Sequence, residues 1–172
     1  AEENLMAALR AATTERIVFS ASDLPFVTAS SYTDLVRRTG DGVDAGYPIF
    51  RKDEFLRAYP NGRARFAALA DGEWTGGSAF VVNRTPFVRD ERLVARVFGA
   101  RKSLFALASL FGPALLVKFA LKRVTVADVE QRGSTLLGGR VRAVRGADPA
   151  LAMDCDDMGD FEYARADESG AP

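Results

Sequence analysis

An apolar run, Arg16-Ile17-Val18-Phe19-Ser20, that stops a few residues later at Asp23-Leu24-Pro25 constrains this chain more than any other stretch. A short Ile/Val/Phe block bounded by polar residues reads as a buried strand. Pro25 cannot donate to a sheet ladder and biases Leu24 toward extended backbone, so the strand ends and the Asp23 carboxylate is held at its rim. In open α/β sheets, ligands bind just beyond such strand ends. Asp23 is therefore a candidate metal ligand, set against the plainer reading of Asp-Leu-Pro as a strand-to-loop turn.

Helical and strand-like stretches alternate around that run. Residues 4–12 are rich in helix formers, with Leu5 and Leu9 on one face, and lead directly into the strand. Thr28-Ala29-Ser30-Ser31 supplies N-cap candidates for a second helix through Arg38, and Gly40 stops it. Residues 43–50 read as a strand whose Pro48 marks an edge or a bulge, and residues 52–59 as a short helix ended by Pro60. Residues 65–70 and 78–83 are two further strands, separated by Asp71–Gly77 as a hairpin connection carrying a functional loop.

From Thr85-Pro86 the texture turns helical through Lys102. Two apolar helices follow, hinged at Gly112-Pro113. Thr125 with Asp128 forms a capping box for the next helix, which Gly138-Gly139 ends. Residues 141–144 and 150–153 read as strands, Phe161–Arg165 as a last helical turn or two, and Asp167–Pro172 as a disordered polar tail. One domain over residues 1–172, of α/β class, follows from the alternation.

Composition narrows the chemistry. With 172 residues, roughly 70% of the unfolded surface can be buried on folding, enough for a substantial core. Formal net charge is zero, so there is no basic footprint for nucleic acid. A single cysteine, Cys155, excludes an internal disulfide framework and fits a reducing, cytoplasmic setting; the absence of histidine excludes the usual zinc sites and His-based triads. Leu104–Leu121 approaches the length of a short spanning helix, but Gly112-Pro113 and Lys118 interrupt it, so stable membrane insertion is not expected. The chain opens on Ala1-Glu2-Glu3, and it reads as an excerpt.

Three constellations remain. Asp154, Asp156, Asp157 and Asp160 crowd the end of an apolar run. If Ala150–Cys155 is a strand, Asp154 and Asp156 share a face and suit magnesium, which takes one or two carboxylates plus substrate phosphates. Asp157 and Asp160 read instead as an acidic first turn complementing a helix dipole. Thr75-Gly76-Gly77 lets backbone approach a ligand closely, although a Gly-Gly pair before a strand is more often just a turn. Arg101, Lys102, Lys118, Lys122 and Arg123 can meet phosphate, although a solvated face accounts for each singly; Lys102 is the candidate nucleotide contact.

In order along the chain, Ser22–Thr28, Tyr47-Pro48-Ile49, Asp71–Ser78, Ala100–Ser103, Val124–Arg132 and Met153–Asp156 resemble the MobA-like nucleoside-triphosphate transferases, the molybdenum-cofactor guanylyltransferase type of nucleotidyltransferase. The resemblance implies a three-layer α/β/α sandwich on a Rossmann-like, mostly parallel sheet of the nucleotide-diphospho-sugar transferase kind. It also implies transfer of a nucleoside monophosphate from GTP or CTP to a phosphorylated small molecule, with Mg2+ as cofactor and pyrophosphate released. The family's magnesium-binding aspartate falls on Asp23, with Ser22 in place of the usual glycine, and its C-terminal acidic partner on Asp154 or Asp156. Ser78 stands where asparagine usually follows Thr-Gly-Gly. The family's opening strand and Leu-Ala-Gly-Gly loop have no counterpart, so the expectation is an N-terminally truncated domain, inactive alone. The alternative is a non-catalytic nucleotide-binding or regulatory domain of the same fold.

Overall fold

A computed structural model describes residues 2–89 and 112–168. The order is α1 (Glu2–Ala11), β1 (Arg16–Ser20), α2 (Ala29–Thr39), β2 (Ala45–Arg51), α3 (Lys52–Ala58), β3 (Ala67–Leu69), β4 (Gly72–Gly76), β5 (Ala79–Asn83) and α4 (Arg84–Arg89). Then come α5 (Pro113–Ala120), α6 (Val126–Leu137), β6 (Val141–Val144), a 3-10 turn (Pro149–Ala152) and α7 (Met158–Glu168). The last helix thus runs two residues into the stretch expected as a tail.

Among the described residues the six strands form one sheet in the order β1-β5-β2-β4-β3, with β6 on the free edge of β2. This corrects the expected mostly parallel, Rossmann-like sheet. Antiparallel pairing joins β1 to β5, β5 to β2, β2 to β4 and β4 to β3, and only β2 with β6 is parallel. The helix between β1 and β2 does return the chain in the same direction. But β5 inserts between those two strands, and its antiparallel ladders replace the parallel one that alternation alone suggests.

The segment read as a hairpin loop is itself a strand. The turn lies at Ala70-Asp71, and Gly72–Gly76 pairs with both β3 and β2. β4 and β5 together behave as one long strand against β2, broken by Gly77-Ser78. Gly46 faces Val81 and Ile49 faces Gly76, so three steps on β2 match five on its partner. That two-residue excess is a bulge, and it lies opposite Pro48, which has no N–H to offer a ladder. Pro48 therefore sits, fully buried, in the central strand rather than at an edge.

Alternation along the strands separates two cores. Val81 joins Leu35, Phe50, Phe55, Leu151 and Met153 on one face, while Val82 meets Leu5, Met6 and Leu9 of α1 on the other. The caps read from sequence are in place. Thr28 and Ser31 cap α2, and Thr125 and Asp128 exchange hydrogen bonds across the first turn of α6, which Gly138 closes in a left-handed conformation. No helix among the described residues is long and apolar enough to cross a membrane.

Candidate functional site

Four hydrogen bonds stitch the end of β1, the bulge and the segment before α7 into one rim. Ala21 N–H donates to the Ser78 carbonyl at 2.8 Å, which continues the β1–β5 ladder by one residue past Ser20. Ser78 N–H donates to the Leu151 carbonyl at 2.7 Å, and the Ser78 hydroxyl to Asp154 Oδ2 at 3.1 Å. Finally, Cys155 N–H donates to the Asp23 carbonyl at 2.9 Å. Asp23 and the Asp154–Asp156 stretch, remote in sequence, are thus backbone neighbours at the sheet rim.

The expected strand at Ala150–Cys155 is not formed. Asp148 accepts from Ala150 N–H at 3.0 Å and Pro149 opens a 3-10 turn, so the chain tightens where an extended run was expected. Ser31, buried at the start of α2, donates to the other Asp148 oxygen at 2.5 Å and anchors this turn to the core. Residues 153–156 follow without regular structure, so Asp154 and Asp156 are not a strand-face pair. Asp154 is half-buried and oriented by Ser78; Asp156 is exposed, its backbone N–H held by Asp160 at 3.2 Å. Asp23 is exposed.

Asp157 and Asp160 take the structural part expected of them. Asp157 Oδ1 accepts from Gly159 N–H at 2.8 Å and Asp160 N–H at 3.2 Å, closing the first turn of α7. The Arg63 guanidinium bonds both carboxylates and holds Asp157 below the usual carboxylate range.

Thr75, Gly76 and Gly77 lie beside the rim, but with their polar groups engaged in the fold. Thr75 is buried in the ladder opposite Phe50, and Gly77 N–H donates to the Pro48 carbonyl at 2.9 Å. A Cβ on Gly77 would come within 2.8 Å of Pro48 and 3.0 Å of the Leu151 carbonyl, and one on Gly76 within 2.3 Å of the Tyr47 hydroxyl. The visible reason for both glycines is therefore close packing. Lys102 lies outside the described residues.

Tyr47 enters the sequence reading only within the Tyr47-Pro48-Ile49 stretch of the resemblance, with no site role. It is 44% exposed, its ring lies against Gly76, and burial of the hydroxyl followed by the Asp154 charge holds the phenol above its usual pKa. The signal was available: on β2, odd-numbered residues point away from the Phe50 core, and Tyr47 is the large one beside the bulge.

Among the described residues, no three or more His, Cys, Asp or Glu side chains gather closely enough to hold a metal by themselves. The donors at the rim are hard carboxylate oxygens. They fit magnesium, which relies on one or two carboxylates with substrate phosphates and waters completing its shell, and they do not fit an all-protein cage.

A solved structure resembles this chain closely. It is described as a hypothetical transferase from Thermus thermophilus, is 29% identical and superimposes with a TM-score of 0.83, over 94% of this chain and 69% of that one. The likeness is one of transferase fold. No family model matches the chain, the MobA-like family included, and no curated protein matches it.

Proposed function

We propose that this protein is a transferase that moves a nucleoside monophosphate from GTP or CTP to a phosphorylated small molecule, with Asp23 and Asp154 holding magnesium at the rim. The observation that carries this reading is the Cys155-to-Asp23 backbone bond, which brings two carboxylate-bearing segments, remote in sequence, together at one rim of the sheet. The likeness to a hypothetical transferase agrees with it.

An acceptor phosphate oxygen attacks the α-phosphorus as the bond from that phosphorus to the β-phosphate oxygen breaks, and pyrophosphate leaves. Magnesium, when bound, neutralises charge on the triphosphate. The chain's own part is placement. Ser78 fixes one Asp154 oxygen by donating to it, and the Cys155 amide fixes the backbone from which Asp23 projects. Such positioning lets charge be met without reorganisation during transfer.

Calorimetric titration with GTP and CTP, with and without magnesium, tests binding. Pyrophosphate release in the presence of a panel of small phosphate monoesters tests transfer. Asp23→Ala is expected to remove the magnesium-dependent part of binding and to lower release by about a hundredfold or more. Release unchanged in Asp23→Ala overturns the assignment. Nucleotide binding with no release from any monoester points instead to a non-catalytic nucleotide-binding domain.

A further inference from the structure

We infer that Arg63 and buried Asp160 form a positioning latch that sets the Asp154–Asp156 backbone against Asp23, so that a loop following α3 controls the geometry of the proposed magnesium site. Asp160 is only 6% exposed. Its Oδ2 accepts from the backbone N–H groups of Asp156 at 3.2 Å and Asp157 at 3.3 Å. Its Oδ1 accepts from Arg63 Nε at 3.1 Å and pairs with Arg63 Nη2 at 3.0 Å, and the same guanidinium nitrogen also reaches Asp157.

The arrangement has the form of an outer partner that orients a ligand-bearing segment. A buried carboxylate is costly without a counter-ion, and Arg63 supplies that charge beside Asp160 while Asp160 accepts from the two backbone N–H groups. The fork of the guanidinium matters as well as its charge, since it spans two carboxylates from one side chain. Space has been left for it: a Cβ on Gly159 would lie 2.8 Å from Arg63 Nη2. Arg63 itself is carried by the loop that follows Asn61-Gly62, where Gly62 N–H donates to the Tyr59 carbonyl at 2.9 Å. Arg63 and Asp160 lie 97 residues apart, so this contact closes a long loop onto the rim.

Arg63 touches no reacting atom in this scheme; it acts through Asp160 on Asp156 and, one residue back, on the Cys155 amide that bonds Asp23. The consequence for magnesium rests on the nucleotidyl-transfer reading, whereas the latch does not. Two readouts keep the failures apart. Amide hydrogen exchange in the protein without nucleotide reads the latch: Arg63→Gln should speed exchange at Cys155, Asp156 and Asp157 by about tenfold, with Phe50 and Val81 unchanged. Loss of one net hydrogen bond of about 1.4 kcal/mol corresponds to that factor. Calorimetry with GTP then reads the consequence: the magnesium concentration needed for half-maximal binding should rise about tenfold in Arg63→Gln, the effect expected of an outer-shell partner. Arg63→Lys, which keeps charge but not the fork, should recover part of it.

Gly159→Ala provides a second variant that leaves every charge in place while displacing the guanidinium, and it should move both readouts in the same direction. Unchanged exchange at Cys155 and Asp156 in both Arg63→Gln and Gly159→Ala overturns the latch. Faster exchange with unchanged magnesium dependence overturns its link to the site and leaves Arg63 a purely structural anchor of α7. Wild-type protein showing no magnesium-dependent nucleotide binding overturns the functional reading and leaves the exchange result to decide the latch alone.

Discussion

The two carboxylate-bearing shelves of the rim are built in different ways. Asp23 projects, exposed, from the end of β1, where a single backbone bond from Cys155 ties it across the rim while Leu24, Phe26 and Val27 pack beneath. The opposite shelf is over-determined: Leu151 and Met153 are core residues, Ser78 bonds both the Leu151 carbonyl and the Asp154 carboxylate, and Arg63 with Asp160 pins the far side. One shelf inherits its place from a strand, while the other is assembled from contacts made by four separate segments.

Substitutions that separate the shelves should differ in scale. The largest effect is expected from Leu151→Ala, which empties a fully buried position and should lower unfolding free energy by about 2–5 kcal/mol in urea titration. Leu24→Ala, on the shelf where that residue is only partly buried, should have a smaller effect, and equal losses would break the contrast. Gly46→Ala comes next. Its Cβ would stand 2.5 Å from the side chain of buried Thr39, whose hydroxyl already donates to Leu35, so about 1–3 kcal/mol should be lost with the rim geometry unchanged.

A weaker, pH-linked effect belongs to the assembled shelf alone. Arg63 depresses the Asp157 carboxyl, so the folded state holds its proton less tightly than the unfolded chain. The stability this contributes is present above the ordinary aspartate value of about 4 and is lost as pH falls through the lower, folded value. Arg63→Gln should flatten that acid limb in denaturation midpoints measured across pH 2–5 (roughly the window set by the aspartate reference value). An identical acid limb in the variant would remove Arg63 from the account.

The smallest expected change reads the gap between the shelves directly. Burial, then the charges of Asp160, Asp157, Asp23 and Asp156, hold the Cys155 thiol above its usual pKa. As the chain's single cysteine it can be followed by its rate of reaction with a disulfide reagent against pH. Asp23→Ala should move that midpoint slightly downward, because one repelling charge is gone. An unmoved midpoint would place the Asp23 carboxylate too far away to act across the rim.

Much of the local structure was legible. The apolar 16–20 run is β1, and Thr125 with Asp128 makes the capping box of α6. Asp157 and Asp160 open α7. These features depend on neighbours within a turn or on side-chain period, and such signals survive in a bare sequence. Two expectations failed for one shared reason: the parallel sheet and the Asp71–Gly77 loop both depended on which partner a segment would meet, and the partners were β5 and β2. The Ala150–Cys155 strand failed for a local one, because Asp148 and Pro149 open a 3-10 turn there.

Residue order alone therefore determined the β1 run and the capped starts of α2 and α6, which carboxylates lie near chain bends, and that these residues can offer no histidine chemistry. Tertiary structure decided that β5 lies between β1 and β2, that Gly77-Ser78 is a bulge facing Pro48, and that Asp23 meets Cys155. The physical reason is range. Propensity and capping act over a few residues, whereas ladder partners, the close approaches at Gly76 and Gly159, and the counter-ion of a buried carboxylate are chosen only when distant segments compete for the same space.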